Sequence, residues 1–233
     1  MSAYILQIDT ATELCSVSLS LNGSTIHTID ASEPNLHASK ITVFIDELLN
    51  QAQISYQDLS AVAVSKGPGS YTGLRIGVST AKGLCYALDI PLLAINTLES
   101  MYSGYIENME DKEELLFVPM LDARRMEVYL MVLDSLGNII QHTEAVIIDN
   151  TSFTAYGDKK LCLFGSGAAK LKDTFATSAH INIDLNFKHS SAFLSKRAYE
   201  KFTQNDFEDL IYFEPYYLKE FIATTPKAIK LSN

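Results

Sequence analysis

Only three cysteines occur in the 233 residues (Cys15, Cys85 and Cys162), and no two of them form a CxxC pair. An odd, scattered set in apolar stretches cannot build a disulfide framework. It reads as buried thiols kept reduced, so the expected compartment is the cytoplasm. Long apolar runs are missing too: none approaches the roughly 20 residues that cross a bilayer, and no membrane role is expected. The stretch Met1 to Asp9 reaches an acidic residue before any h-region could form, so it is not expected to be a secretory signal. Positive charge is scarce. Against 28 Asp/Glu stand 18 Lys/Arg, a net charge of −10, and the deficit is even: 4 against 9 in residues 1–100, 14 against 19 in the rest. Nucleic-acid affinity rests largely on Lys and Arg that neutralise phosphates and release counterions. The chain is therefore not expected to hold RNA by itself; a partner must supply the positive surface.

The common catalytic patterns are missing as well. There is no Gly-x-Ser-x-Gly elbow, no Gly-Lys-Ser/Thr phosphate loop and no GxGxxG spacing. His27, His37, His142, His180 and His189 are isolated, none forming a ligand pair at i+3 or i+4 on a helix, and His37 is expected to cap or contact the first helix. No basic group neighbours a cysteine to make an obvious thiolate. Catalytic and metal-binding residues are thus expected to be none.

What is present describes a folded chain. Hydrophobic residues make up 47% and charged residues 20%, enough to fill one large domain or two lobes of about 100 residues each. Tyr4–Asp9, Cys15–Leu21 and Ser24–Asp30 read as strands, the last two joined by Asn22-Gly23, a strong hairpin signal. Ile41, Phe44, Ile45, Leu48, Leu49 and Ala52 recur at helical spacing. A strand over 61–65, a turn over 67–73, a helix over 74–88 and a strand over 92–95 follow. Glu107 to Glu114 reads as a solvated connection. Beyond it, 115–121, 127–133, 139–148 and 161–164 are strand-like, 168–175 and 190–202 helical. The aromatic tail 212–218 is expected to pack back on the body. Three antiparallel strands, helix, strand, helix, strand predict an α/β, actin-like (ribonuclease-H-like) fold of two similar lobes, 1–104 and 105–233.

Gly73, Gly77 and Ala81 lie four apart, so small residues stack on one helix face. Such a stripe lets another element approach closely, either a partner helix or the chain's own sheet. Arg124-Arg125 is a basic doublet in the middle of the chain and has no evident role.

The run Lys66-Gly67-Pro68-Gly69-Ser70-Tyr71-Thr72-Gly73-Leu74-Arg75-Ile76-Gly77-Val78-Ser79-Thr80-Ala81-Lys82-Gly83-Leu84 resembles the signature of the TsaB (YeaZ-like) family almost residue for residue. Ile8-Asp9-Thr10-Ala11, the stretch Leu121 to Tyr129 and Pro215-Tyr216-Tyr217-Leu218-Lys219 match in the same order. The resemblance covers essentially the whole chain. It implies a non-catalytic scaffold for synthesis of threonylcarbamoyladenosine on tRNA, similar in fold to the catalytic subunit TsaD. It also implies docking onto a TsaD-like partner through Gly73, Arg75, Gly77, Thr80, Ala81 and Leu84. A TsaE-like P-loop ATPase would join, a homodimer would form when the chain is alone, and tRNA would be met only indirectly. TsaD-like proteins carry a metal-binding His-x-x-x-His after the strand at 92–95. Here Thr97 and Met101 stand in those places, poor ligands for a hard or borderline cation. That departure weighs against the alternatives, an M22-type metallopeptidase and an actin-like ATPase or kinase.

In actin-like ATPases the Asp ending the first strand holds the nucleotide's metal, and hydroxyls in the next hairpin touch phosphates. Asp9, Thr10, Thr12 and Ser16 occupy comparable places, and Gly165-Ser166-Gly167 could offer free N–H groups to a phosphate. No stably bound cofactor is expected. Weak contact with ATP or ADP and Mg at the partner interface, through Asp9, Thr10, Ser16, Gly165 and Gly167, stands beside the plainer reading of an inherited turn and a strand-to-helix turn.

Overall fold

The computed structural model describes residues 2–33, 36–107, 109 and 114–219. Two five-stranded sheets carry the fold, and both are laid down in one order. In the first, β1 (Tyr4–Asp9), β2 (Cys15–Leu21) and β3 (Ser24–Ala31) form an antiparallel meander. Then β4 (Leu59–Gly67) and β5 (Leu92–Asn96) add in parallel beyond β1, giving β3-β2-β1-β4-β5. In the second, β6 (Leu115–Asp122), β7 (Glu127–Asp134) and β8 (Ile139–Ile147) meander, and β9 (Lys160–Phe164) and β10 (Ile181–Asp184) add in parallel. The result, β10-β9-β6-β7-β8, is the first sheet's order repeated.

The lobes differ in their crossovers. Parallel strands need a connection of a dozen or more residues, usually helical. In the first lobe these are α1 (Leu36–Ala52) and α2 (Tyr71–Leu88). In the second they shrink to 3-10 turns, Thr154–Tyr156 and Ala168–Leu171. The helix expected over 168–175 is therefore only its first turn. Past Lys172 come Thr174, Thr177 and Ser178, which favour local turns over helix, while Ala168, Leu171 and Phe175 still reach the second core. A helix not among those expected, α3 (Thr97–Glu107), leaves β5 toward the second lobe. The acidic connection expected at 107–114 falls mostly outside the described residues.

β2 shows how the sequence makes two faces. Cys15, Val17 and Leu19 point to one side and join Leu6, Ile8, Val62 and Val64 under α1 and α2. Ser16, Ser18 and Ser20 point to the other side and are buried as well. Buried hydroxyls need partners: Ser18 and Ser20 find Gln7, whose amide donates to Ser20 Oγ at 2.6 Å and accepts from Ser18 Oγ. That second face is closed by the end of the chain. The helix expected over 190–202 becomes a 3-10 turn, Ser191–Leu194, and α4 (Ser195–Thr203). Leu194 and Ala198 pack on Ile5, Ala61, Ala63, Leu93 and Ile95. The ranges 1–104 and 105–233 thus follow chain order, and α4 returns to the first lobe's sheet.

The aromatic tail also comes back. Lys82 Nζ donates to the carbonyls of Ile211 and Phe213, and Tyr216 N–H donates to Lys66 O at 2.7 Å. Tyr217 lies against Tyr71 with ring centroids 4.7 Å apart.

Candidate functional site

Helix α2 begins at Ser70, whose hydroxyl accepts from the Gly73 N–H, and ends at Asp89 in left-handed geometry. Its buried side holds Gly73, Leu74, Gly77, Val78, Ala81 and Cys85. Gly73 and Gly77 sit against the start of the first hairpin: a Cβ on Gly73 would lie 2.0 Å from Thr10 O, and one on Gly77 would lie 2.3 Å from Thr10 Oγ1. Thr10 Oγ1 donates to Gly73 O at 2.7 Å, locking hairpin and helix together. Gly73, Gly77 and Ala81 are therefore not a docking face. They let α2 rest on its own sheet. Of the other residues expected at an interface, Arg75 is exposed and Thr80 and Leu84 are half-buried. The solvent side runs through Thr72, Arg75, Ser79, Gly83 and Tyr86, and a Cβ on Gly83 meets nothing within 4 Å.

The hairpin expected to touch a nucleotide is closed from within. Asp9 is buried, one carboxylate oxygen accepting from the Ala11 N–H and the other lying 2.7 Å from His189 Nε2. Ser16 Oγ donates to Asp30 and accepts the Ser191 N–H at 2.7 Å, and Ser190 Oγ also donates to Asp30. The segment His189-Ser190-Ser191 thus supplies the partners of Asp9, Ser16 and Asp30 beside β1 and β2. Asp9 and Ser16 present nothing to a ligand, and Thr10 spends its hydroxyl on α2. Burial alone would disfavour a charged imidazole. The Asp9 carboxylate, its hydrogen bond and Asp30 outweigh that and raise the His189 pKa above the ordinary value.

In the second lobe, Gly165 has φ +96°, and a Cβ there would strike Met120 O and Met101 Cε. Gly167 donates its N–H to Met120 O, and the following turn has four residues. Gly165 and Gly167 are the close packing of this turn on β6, not an open cradle. A cavity of about 210 Å³, lined among others by Lys66, Asn96, Glu99, His142 and Tyr216, lies at the joint of the lobes. It falls short of the roughly 300–1,000 Å³ of typical ligand pockets. Among the described residues no group of three or more His, Cys, Asp and Glu is arranged for a metal ion, and no helix is long and apolar enough to cross a membrane.

The chain is 36% identical over 146 residues to the tRNA threonylcarbamoyladenosine biosynthesis protein TsaB of Escherichia coli K12, a stretch covering 61% of this chain and 62% of that protein. YeaZ from Pseudomonas aeruginosa shares the fold at TM-score 0.74 and 23% identity, over 93% of this chain and all of that one. More distantly, the fold is shared with the ADPNP-bound activator of 2-hydroxyisocaproyl-CoA dehydratase from Clostridium difficile, at TM-score 0.50 and 10% identity, over 90% of this chain and 99% of that one. The model of the family described as TsaD, tRNA N6-adenosine threonylcarbamoyltransferase, matches residues 31–226. The chain belongs to this family, in its TsaB/YeaZ group.

Thr97 and Met101 are the two residues expected to stand where the resemblance implies metal-binding imidazoles. Both are buried. Thr97 Oγ1 shares a 2.7 Å hydrogen bond with Ser65 Oγ, and Met101 packs with Leu98, Phe117 and Phe164. These side chains serve the core. The cysteines do likewise: burial, with Asp9 adding, pushes the Cys15 thiol up to about 11, and burial pushes Cys85 up to about 12. The residue that sequence reasoning missed is His189. Its partner lies 180 positions away, and no local spacing announces such a pair. His37, expected to cap or contact the first helix, lies within α1 itself, and its Nε2 is 3.1 Å from Leu14 O, ahead of β2.

Proposed function

We propose that this chain is a non-catalytic scaffold in the synthesis of threonylcarbamoyladenosine on tRNA, binding and supporting a TsaD-like catalytic subunit. The name of the Escherichia coli relative supports the pathway. The observation that carries the non-catalytic reading is that these side chains are already engaged within the chain. His189 occupies the Asp9 carboxylate, and Thr97 and Met101, poor metal ligands by their chemistry, are held in the core. Docking then falls to the outward side of α2 (Arg75, Ser79, Gly83 and Tyr86). A large apolar side chain such as Tyr86, 84% exposed, gains by being covered. A copy of the chain would use the same side to form a homodimer when the partner is absent.

In this reading a TsaE-like ATPase joins the assembly and tRNA is held by the partners, as the net charge of −10 requires. The chain holds no cofactor stably, and any ATP or ADP with Mg sits where subunits meet rather than on Asp9. The test is Gly83→Arg, which adds bulk where nothing stands within 4 Å. The variant should fold normally yet fail to co-purify with the TsaD-like subunit. Normal yield of the complex would move the interface elsewhere.

A further inference from the structure

We propose that the loop between β6 and β7, Asp122 to Met126, is a preorganised knob for a protein partner that presents paired carboxylates around an apolar pocket. Two consecutive residues here, Arg124 (φ 69°) and Arg125 (φ 52°), hold left-handed backbone. Side-chain-bearing residues rarely adopt it, least of all in succession, so something must hold them there.

Two lysines do so from different parts of the chain. Lys170 Nζ donates to Arg125 O at 2.7 Å and Glu127 O at 3.1 Å, and pairs with the Asp122 carboxylate at 2.5 Å. Lys219 Nζ donates to Ala123 O at 3.2 Å and to the Glu127 carboxylate. The Arg124 N–H donates to Asp122 Oδ1 at 2.6 Å, and the Asp122 N–H donates to Ser166 Oγ at 3.1 Å.

The electrostatic outcome is specific. The carboxylates at the two ends of the loop, Asp122 and, opening β7, Glu127, are each paired with a lysine, whereas the guanidinium groups of Arg124 and Arg125 have no ion pair or hydrogen bond among the described residues. Both arginines are exposed, and Met126 beside them is 54% exposed. A positive, partly apolar tip therefore stands on a chain of net charge −10.

The chemistry favours a protein over a nucleic acid. Arginine and methionine are enriched where proteins meet, and a guanidinium fork matches a carboxylate bidentately. Two arginines neutralise only about two phosphates, too few to hold a polyanion against the field of an acidic chain. A loop already fixed in shape loses little freedom on binding. The knob belongs to the second lobe's sheet and not to α2, so it is a contact additional to the one proposed for that helix.

The proposal goes beyond the scaffold reading and rests on it only for the choice of probes. These are the purified TsaD-like subunit, the TsaE-like ATPase and tRNA, each titrated against wild type and Arg124→Glu/Arg125→Glu at low and physiological salt. A photo-crosslinking residue at position 126 provides an independent arm. One protein probe should lose at least tenfold in Kd with the double variant, and the difference should narrow as salt rises. The crosslink should land on an Asp- or Glu-bearing peptide of that probe. Unchanged Kd for both protein probes overturns the knob alone, as does a loss or crosslink confined to tRNA. If wild type binds neither protein probe, the scaffold reading falls first and the knob with it.

Discussion

Two glycines on one helix offer a matched pair of substitutions with opposite expected signs. Gly73 and Gly83 both lie in α2, and replacing helical glycine by alanine gains roughly 0.5–1 kcal/mol of backbone entropy and propensity. At Gly83 nothing opposes that gain, because the new Cβ enters open space. Gly83→Ala should therefore raise Tm by about 1–4 °C, taking roughly 2–4 °C per kcal/mol for a chain of this size. At Gly73 the Cβ would lie 2.0 Å from the Thr10 carbonyl oxygen, a backbone atom that cannot rotate away. The hairpin is further fixed by the Ser70 N–H donating to Ala11 O at 2.7 Å. Relief requires the helix to lift from β1, an overpacking cost typically of about 1–3 kcal/mol and here expected at the upper end. After the helical gain is set against it, Gly73→Ala should lose about 2 kcal/mol, a fall in Tm of roughly 4–8 °C. Thermal and urea unfolding of the three proteins measures both shifts together. A Gly73→Ala protein as stable as Gly83→Ala would refute the seating of α2 on the first hairpin.

Gly77→Arg should not accumulate as a folded monomer, since its side chain would have to pass Thr10 Oγ1 at 2.3 Å from the Cβ; circular dichroism of the purified variant decides this. Met101→Ala should cost about 2–5 kcal/mol, as buried truncations do, and metal content by elemental analysis should be the same before and after. His189→Gln should remove stability in a pH-dependent way. The imidazole's pKa is raised on folding, so its contribution is fully present below the ordinary value near 6.5 and is lost as pH rises through the folded value. The gap between wild type and variant, followed by urea unfolding from pH 6 upward, should narrow; a gap that widens would reverse the sign.

Local patterns in the sequence carried most of the first lobe. Alternation in β2, the Asn22-Gly23 turn and the helical spacing from Ile41 to Ala52 each report nearest-neighbour physics, and all three elements form as read. The stripe Gly73, Gly77, Ala81 was legible as a close approach but not as to what approaches. Spacing on a helix says that a face is smooth; only the tertiary position of Thr10 says the face is turned inward. α3 was legible but passed over: Leu98, Met101, Tyr102, Tyr105 and Ile106 fall at i, i+3, i+4, i+7 and i+8, and this face packs into one core cluster. The pairing of Asp9 and Ser16 was illegible. His189, Ser190 and Ser191 reach Asp9, Ser16 and Asp30 across more than 150 residues, and a single sequence has no marker for pairs so distant.

Transfer of the threonylcarbamoyl group to tRNA, assayed in a reconstituted mixture, tests the scaffold reading most directly. Purified TsaD-like subunit, P-loop ATPase and tRNA are combined with and without this chain, and the chain is also incubated with tRNA by itself. Modified adenosine should form only when chain and partner are both present. Product from the chain alone, or full activity without it, would contradict the account.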